Sequence, residues 1–190
     1  MFTVRQALLE DLTQVRDIGI RTYRAHFGEL WRYPHELEAF LAEDFSVSAL
    51  ERTLRDPDVC WLLAHEDDAL VGYARVNFDS LLAPTEHIGA ELQKIYFLPG
   101  HAGNGYGQRL YEQVQQRAID RLQKTLWLEV LQRNTRAQRF YQRQGLSICG
   151  ETCYTSAQRF YQRQGLSICG ETCYTSAQGS IGIWYMSKAL

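Results

Sequence analysis

The chain has 190 residues, 45% hydrophobic and 22% charged, with only 4 prolines and a net charge of −2. That is enough for one globular domain with a buried core, and it excludes a generally basic nucleic-acid binder. No run of 18 apolar residues is present to span a membrane, and Met1–Arg5 lacks the apolar stretch of a secretory signal. A cytoplasmic protein with reduced cysteines and no membrane or nucleic-acid partner is expected.

Alternation makes Thr3–Ala7 a short strand, and Asp11 is placed to cap a helix running to about Phe27. Tyr33-Pro34 breaks the chain before a second helix, His35–Glu43. Ser46 or Ser48 opens a third, which ends before Asp56-Pro57. Cys60–His65 and Leu70–Phe78 flank Glu66-Asp67-Asp68-Ala69 as a hairpin, and Glu91–Leu98 is a strand stopped by Pro99-Gly100. Tyr106–Lys124 reads as a long amphipathic helix with Leu110, Val114, Ala118 and Leu122 on one stripe. Leu126–Leu131 is a strand, and Asn134 caps a helix Thr135–Gln144 that Gly145 ends. Leu146–Thr155 and Ile181–Ser187 complete a mixed α/β sheet with helices on its faces.

Two features cut across this order. Residues 1–95 carry a net charge of −8 and residues 96–190 a net of +6, which suggests one surface for a cation and another for an anion. The second feature is an identical 20-residue repeat, residues 137–156 and again 157–176. Two undiverged copies make no solenoid; they point to a single in-frame duplication within one domain, 1–190. The first copy follows Asn134 directly, whereas the second has Tyr154 at that position, so the first is favoured for the helix. Either copy can supply the strand before Ile181, and the spare one offers a route to a homodimer by domain exchange. The doubled Cys149-x3-Cys153 and Cys169-x3-Cys173 are no zinc site, since residues four apart in a strand are about 13 Å apart.

The densest chemical signal lies between Ile95 and Leu110, where a strand enters a glycine-spaced turn that opens a helix. Three glycines let main-chain N–H groups converge on a ligand, and the helix N-terminus adds partial positive charge, an arrangement suited to a pyrophosphate. Neither the Gly-x4-Gly-Lys-Ser/Thr loop nor the G-x-G-x-x-G fingerprint fits these letters.

With the x-G-x-G turn at Gly105 and Gly107, L-x-V at Leu128–Val130, and N-x-x-A-x-x-F-Y-x-x-x-G-[FL] from Asn134 to Leu146, the chain resembles the GNAT acetyltransferase superfamily over nearly its whole length. Thr22-Tyr23-x3-Phe27, Leu37-x2-Phe40-Leu41-x3-Phe45, Leu50-x3-Leu54, Val71-Gly72-Tyr73 and Glu91-x3-Ile95-Tyr96 look like its PaiA-like subgroup, which acetylates polyamines such as spermidine. The resemblance implies a mixed, mostly antiparallel twisted sheet whose parallel strands 91–98 and 126–131 splay apart around acetyl-CoA. It implies that the main chain of Ile95, Tyr96 and Phe97 pairs with the pantetheine. The amides of Gly103, Asn104, Gly105, Tyr106, Gly107 and Gln108 would hold the pyrophosphate. The family's usual Gln/Arg at the head of that loop falls on Ala102 here, and a frequent Arg/Lys falls on Asn104.

Tyr141 matches the family's general acid, and Asn134 would serve the cofactor as well as cap the helix. Glu129 and Glu91 are candidate bases for an amine that must shed a proton before it attacks, and no metal is required. Glu29, Glu36, Glu38, Glu43 and Asp44 are carboxylates placed to draw in a polycation. The leading expectation is acetylation of a small amine, with a protein N-terminal or lysine acetyltransferase and an inactive CoA-binding protein as the alternatives.

Overall fold

The computed structural model describes residues 1–31, 33–83, 85–101, 104–154 and 181–190. Seven strands, β1 (Phe2–Gln6), β2 (Val59–Glu66), β3 (Ala69–Leu82), β4 (His87–Phe97), β5 (Thr125–Leu131), β6 (Ser147–Tyr154) and β7 (Ile181–Ala189), form one sheet. Their order is β1-β2-β3-β4-β5-β7-β6, and every neighbouring pair is antiparallel except β4–β5. Helices α1 (Leu12–Phe27), α2 (Pro34–Asp44) and α3 (Val47–Arg55) cover one face, and α4 (Tyr106–Asp120) and α5 (Thr135–Arg143) cover the other.

Strand β2 shows why both faces are covered. Cys60, Leu62 and Ala64 join the core under α4, while Trp61 and Leu63 join the core under α1–α3, so the strand is apolar from Val59 to Ala64. Val15 and Ile18 of α1 meet Leu41, Phe45 and Leu50 beneath the helical layer, all at 1% exposure or less. Each such side chain contributes about 1.5–3 kcal/mol of burial free energy. Gly19 lets Phe45 approach α1, since a Cβ there would lie 2.0 Å from the Phe45 ring. Among the described residues no helix is long and apolar enough to cross a membrane.

Three local readings need correction. Asp11 does not cap α1. Arg5 holds its carboxylate with two bonds of 2.7 Å and the Leu8 amide donates to it at 2.8 Å, which fixes a 3-10 turn, Leu9–Asp11, ahead of the helix. The Arg5 bond, joined by that amide, pulls the Asp11 carboxyl below its usual range despite burial.

Helix α4 stops at Asp120, short of Lys124. The amide of Gln123 bonds the Ala118 carbonyl at 3.0 Å and that of Leu122 the Ile119 carbonyl at 2.8 Å, a Schellman turn with Leu122, φ +56°, where glycine is usual.

Strands β3 and β4 also run on through Asp79–Leu82 and His87–Ala90, beyond the expected bounds at Phe78 and Glu91. Asp79 (φ +50°) forms a bulge that keeps the ladder going, and Gln123 clamps it at 3.0–3.1 Å. Ser46 rather than Ser48 caps α3, its Oγ accepting from the Ala49 amide at 3.2 Å. The helix and strand of the first repeat copy form α5 and β6. Gly103, Ala102 and the second copy, 157–176 with its Tyr161, Cys169 and Cys173, lie outside the described residues, as does the Cys153 side chain.

Candidate active site

The site begins where β4 and β5 separate. The two strands pair only at Ala90–Leu126 and Glu91–Trp127. Gly89 permits the approach, since a Cβ there would lie 2.5 Å from the Thr125 carbonyl oxygen. Past Glu91, strand β4 carries an extra residue, Gln93, between the rungs Leu92–Val76 and Lys94–Arg75. A bulge bends its strand, and from here β4 keeps β3 as its neighbour and leaves β5.

The register then fixes which main-chain groups face the gap. The Leu98 amide bonds the Val71 carbonyl at 2.8 Å, and Phe97 is matched with Gly72, Tyr96 with Tyr73 and Ile95 with Ala74. In an antiparallel ladder the bonded pairs alternate, so Leu98 and Tyr96 spend their main chain on β3. Ile95 and Phe97 turn theirs outward. Of the three strand residues singled out in the sequence, two therefore offer a peptide-like edge, and Tyr96 offers its ring. The Phe97 carbonyl accepts from His26 Nε2 of α1 at 2.8 Å, which fixes the proton on that nitrogen because a carbonyl has none to give.

The turn after β4 uses positive φ at Gly100 (+89°) and at Gly105 (+75°), the residue before α4. No side chain caps α4, and the amides of Tyr106, Gly107 and Gln108 have no main-chain acceptor among the described residues. N–H groups on a helix end carrying partial positive charge fit a diphosphate. Glu66, at the end of β2, braces this turn from behind. The Tyr106 hydroxyl donates to its Oε1, and His101 Nδ1 lies 2.8 Å from its Oε2. These two bonds hold the Glu66 carboxyl below its ordinary range, and the same bond raises the Tyr106 phenol, against the donated bond of Asn104. Tyr106 also stacks on Phe2 at 4.3 Å, and Arg109 lies 4.8 Å over that ring. Asn104 is exposed on the same turn.

Tyr141 comes from α5, on the far side of the gap. Asn134 starts that helix, its Oδ1 accepting from the Ala137 amide at 3.1 Å, and Gly145 (φ +88°) follows its end. Gln138 fastens it to the end of β5 through the carbonyls of Leu131 and Gln132, at 2.9 and 2.7 Å. Tyr141 is buried beside Phe140, ring centroids 5.2 Å apart, and Tyr111, at 6.4 Å. Its hydroxyl makes no hydrogen bond among the described residues. Burial, with smaller contributions from the Tyr96 and Tyr111 phenols, pushes its proton affinity well above the tyrosine range, so the phenol is neutral at physiological pH.

Both carboxylates named in the sequence sit on the sheet face opposite α4 and α5. Leu92 of β4 and Leu126, Leu128 and Val130 of β5 point into the α4 core, which turns Glu91, Trp127 and Glu129 the other way. Glu91 occupies the last paired rung, and Glu129 lies just beyond it, opposite Tyr185 of β7. Glu91 accepts from Asn77 Nδ2 at 2.8 Å and Ser80 Oγ at 3.2 Å. These partners, like Glu66 and His101, carry no sequence signal: a polar residue in an alternating strand reads as solvent-facing.

The acidic residues of the helical layer divide into two groups. Arg24 neutralises Glu38 with two bonds of 2.9 Å, and buried Lys94 neutralises Asp44 at 2.9 Å. Glu29, Glu36 and Glu43 have no ion pair among the described residues. The same layer carries a series of partly exposed rings in successive contact: Tyr96–Phe27 at 5.5 Å, Phe27–Tyr23 at 4.8 Å, Tyr23–Phe40 at 4.8 Å and Phe40–Trp31 at 5.4 Å. Among the described residues no cluster of His, Cys, Asp or Glu is placed to hold a metal ion.

Comparison with known proteins places this geometry in context. The model of the Acetyltransferase (GNAT) family matches residues 15–146. An uncharacterized N-acetyltransferase of Mycobacterium tuberculosis is 35% identical over 117 residues, covering 62% of this chain and 71% of the relative. PaiA N-acetyltransferase from Thermoplasma acidophilum, solved in complex with coenzyme A, shares the fold with a TM-score of 0.70. It is 15% identical and is covered over 99% of its length by 100% of this chain. Nourseothricin acetyltransferase is 27% identical, with a TM-score of 0.51 over 70% of this chain and 66% of its own.

Proposed function

The chain belongs to the GNAT acetyltransferase family, and from that premise we propose that it transfers acetyl from acetyl-CoA directly to a primary amine of a polyamine such as spermidine. It is an N-acetyltransferase with acetyl-CoA as cosubstrate; the polyamine and the roles of individual residues are the proposal. The observation that carries it is the juxtaposition at the strand gap. Where β4 leaves β5, the main chain of Ile95 and Phe97 turns outward, α4 begins just after β4 with its first amides, and α5 carries a buried neutral phenol.

In this reading Ile95 and Phe97 bond the pantetheine amides as a neighbouring strand would. The amides of Asn104, Gly105, Tyr106, Gly107 and Gln108, with Gly103, hold the pyrophosphate. Asn134 acts chiefly through the start of α5. Glu91, on the last paired rung, accepts the proton that the ammonium sheds, and Glu129 is the neighbouring candidate. The amine nitrogen then bonds the acetyl carbon, the carbon–sulfur bond breaks, Tyr141 donates a proton to the departing sulfur, and the proton that the new amide nitrogen sheds restores the phenol. Its high proton affinity suits that task, because a phenol already ionised has nothing to give.

The polyamine rests on the outer wall. Glu29, Glu36 and Glu43, which have no ion pair among the described residues, share residues 23–43 with the rings Tyr23, Phe27, Trp31 and Phe40, and both groups attract alkylammonium ions. PaiA offers a fold likeness only. The test is CoA thiol release with spermidine, with a neutral-chain alkylamine and with a peptide bearing a free N-terminus. Spermidine is expected to give the highest kcat/KM. A preference for the peptide assigns the site to protein N-termini, and turnover with none of them removes the polyamine.

A further inference from the structure

Glu91 is held in an unusually complete polar setting. Both of its hydrogen bonds, from Asn77 Nδ2 at 2.8 Å and Ser80 Oγ at 3.2 Å, end on Oε2. The Asn77 amide is itself oriented, since its Oδ1 accepts from Arg75 Nε at 3.0 Å. A guanidinium only donates, so the amide oxygen must face Arg75 and the amide nitrogen must face Glu91. Arg75 in turn lies 5.4 Å over the Trp61 ring. Trp127 Nε1 donates to the Ser80 carbonyl at 3.3 Å, which ties the same segment to β5. Oε1 of Glu91 accepts no hydrogen bond among the described residues.

Two irregularities in the ladder build this arrangement. In a regular strand Asn77 and Ser80 would point to opposite faces. The bulge at Asp79 inserts one residue and reverses the phase, bringing Ser80 to the Asn77 side. On the other flank, the extra Gln93 turns β4 away from β5 directly after Glu91. Bulges on both sides of one carboxylate are costly for a mere surface rung. They aim two donors at Oε2 where the gap opens.

We propose that Asn77, oriented by Arg75 and seconded by Ser80, is a positioning residue that anchors Oε2 of Glu91 and leaves Oε1 to take the proton from the acceptor ammonium, directly or through one water. This rests on the reading of Glu91 as the base. Asn77 holds no transferable proton in the reaction; it sets the carboxylate rotamer. Among the described residues, the charged or titratable groups of the neighbouring strands on this face include Arg75 and Tyr73 on β3, Lys94 and Tyr96 on β4 with Asp44 of α2, Glu129 on β5 and Tyr185 on β7.

The experiment compares pH profiles of kcat for the parent, Asn77→Asp, Asn77→Ala, Ser80→Ala and Glu91→Gln, with thermal midpoints as a check on folding. Asn77→Asp keeps the shape but sets a second carboxylate against Glu91, so the acidic limb moves up by about one to two pH units. Asn77→Ala lowers kcat about tenfold with KM for acetyl-CoA unchanged, through loss of orientation. Ser80→Ala acts in the same direction by less, and serves if the Asn77 variants fail to fold. An acidic limb unmoved in Asn77→Asp, with Glu91→Gln inactive, overturns the positioning role alone. Full activity of Glu91→Gln overturns the base assignment and the inference with it.

Discussion

Removing one hydroxyl from Tyr141 separates chemistry from folding with little ambiguity. In Tyr141→Phe the ring keeps its contacts with Phe140 at 5.2 Å and Tyr111 at 6.4 Å, and no hydrogen bond among the described residues is lost. Deleting a hydroxyl that makes no hydrogen bond among the described residues costs at most about 1 kcal/mol, or a change of about 2–4 °C in Tm for a chain of this size. If the phenol protonates the leaving sulfur, the rate penalty is that of a general acid, about 10²–10⁴-fold in kcat. That corresponds to roughly 3–5 kcal/mol of transition-state stabilisation. Continuous thiol release at saturating amine measures it, and KM for acetyl-CoA stays at the parent value. Tyr161→Phe, the equivalent substitution in the second repeat copy, leaves the rate unchanged. Because burial holds the phenol above its ordinary range, Tyr141 causes no loss of kcat up to about pH 10. A Tyr141→Phe rate within threefold of the parent, or equal losses in both variants, refutes the assignment.

Further outcomes follow from the same structure. Tyr106→Phe and Glu66→Gln loosen the brace behind the turn proposed to hold the pyrophosphate; each raises KM for acetyl-CoA severalfold and leaves kcat within a factor of two. Titration calorimetry with CoA should show the same loss of affinity, and unchanged binding counts against the brace. Leu122→Gly relieves a left-handed leucine whose side chain is 84% exposed. Strain relief of about 1–2 kcal/mol, less the added freedom of glycine in the unfolded chain, stabilises by about 0.5–1 kcal/mol in urea titrations. Tyr111 and Tyr141 both bind protons more tightly when folded than the tyrosine reference near 10, and the cause in each is mainly burial. The folded state therefore retains protons that the unfolded chain releases above about pH 10. Stability is flat with respect to these groups below that pH and falls as pH rises past it, as unfolding midpoints between pH 8 and 11 will show.

The alternating and helical patterns made the layers legible, because the same residues that give the period bury the core. Leu110, Val114 and Ala118 of α4 do both. The ends of elements were less so. Leu122 continues the apolar stripe of α4 perfectly and yet ends the helix in a conformation that leucine rarely adopts. Asp11 is a good cap by type, but Arg5 and the Leu8 amide hold its carboxylate. At the site, the motif letters located the turn and the helix that present backbone amides, because glycine at Gly105 is a backbone requirement written in one residue. The partners of Glu91 were not readable. Asn77 and Ser80 meet it only because a bulge at Asp79 changes the phase of β3, and a bulge leaves no periodic trace. The alternation likewise could not tell Tyr96 from Ile95 and Phe97 at the open edge; the single bond from Leu98 to Val71 decides that.

The central claim is direct transfer of acetyl from a thioester seated at the parted strands to an amine on the helical side. Mixing the protein with an equimolar amount of acetyl-CoA, with and without spermidine, and following both protein and polyamine by mass spectrometry tests it in a single turnover. The account predicts acetylspermidine forming in one exponential phase, and no acetyl group on the protein when the amine is left out. Acetylated protein in the absence of amine, or an acetyl-CoA pool untouched in its presence, contradicts it.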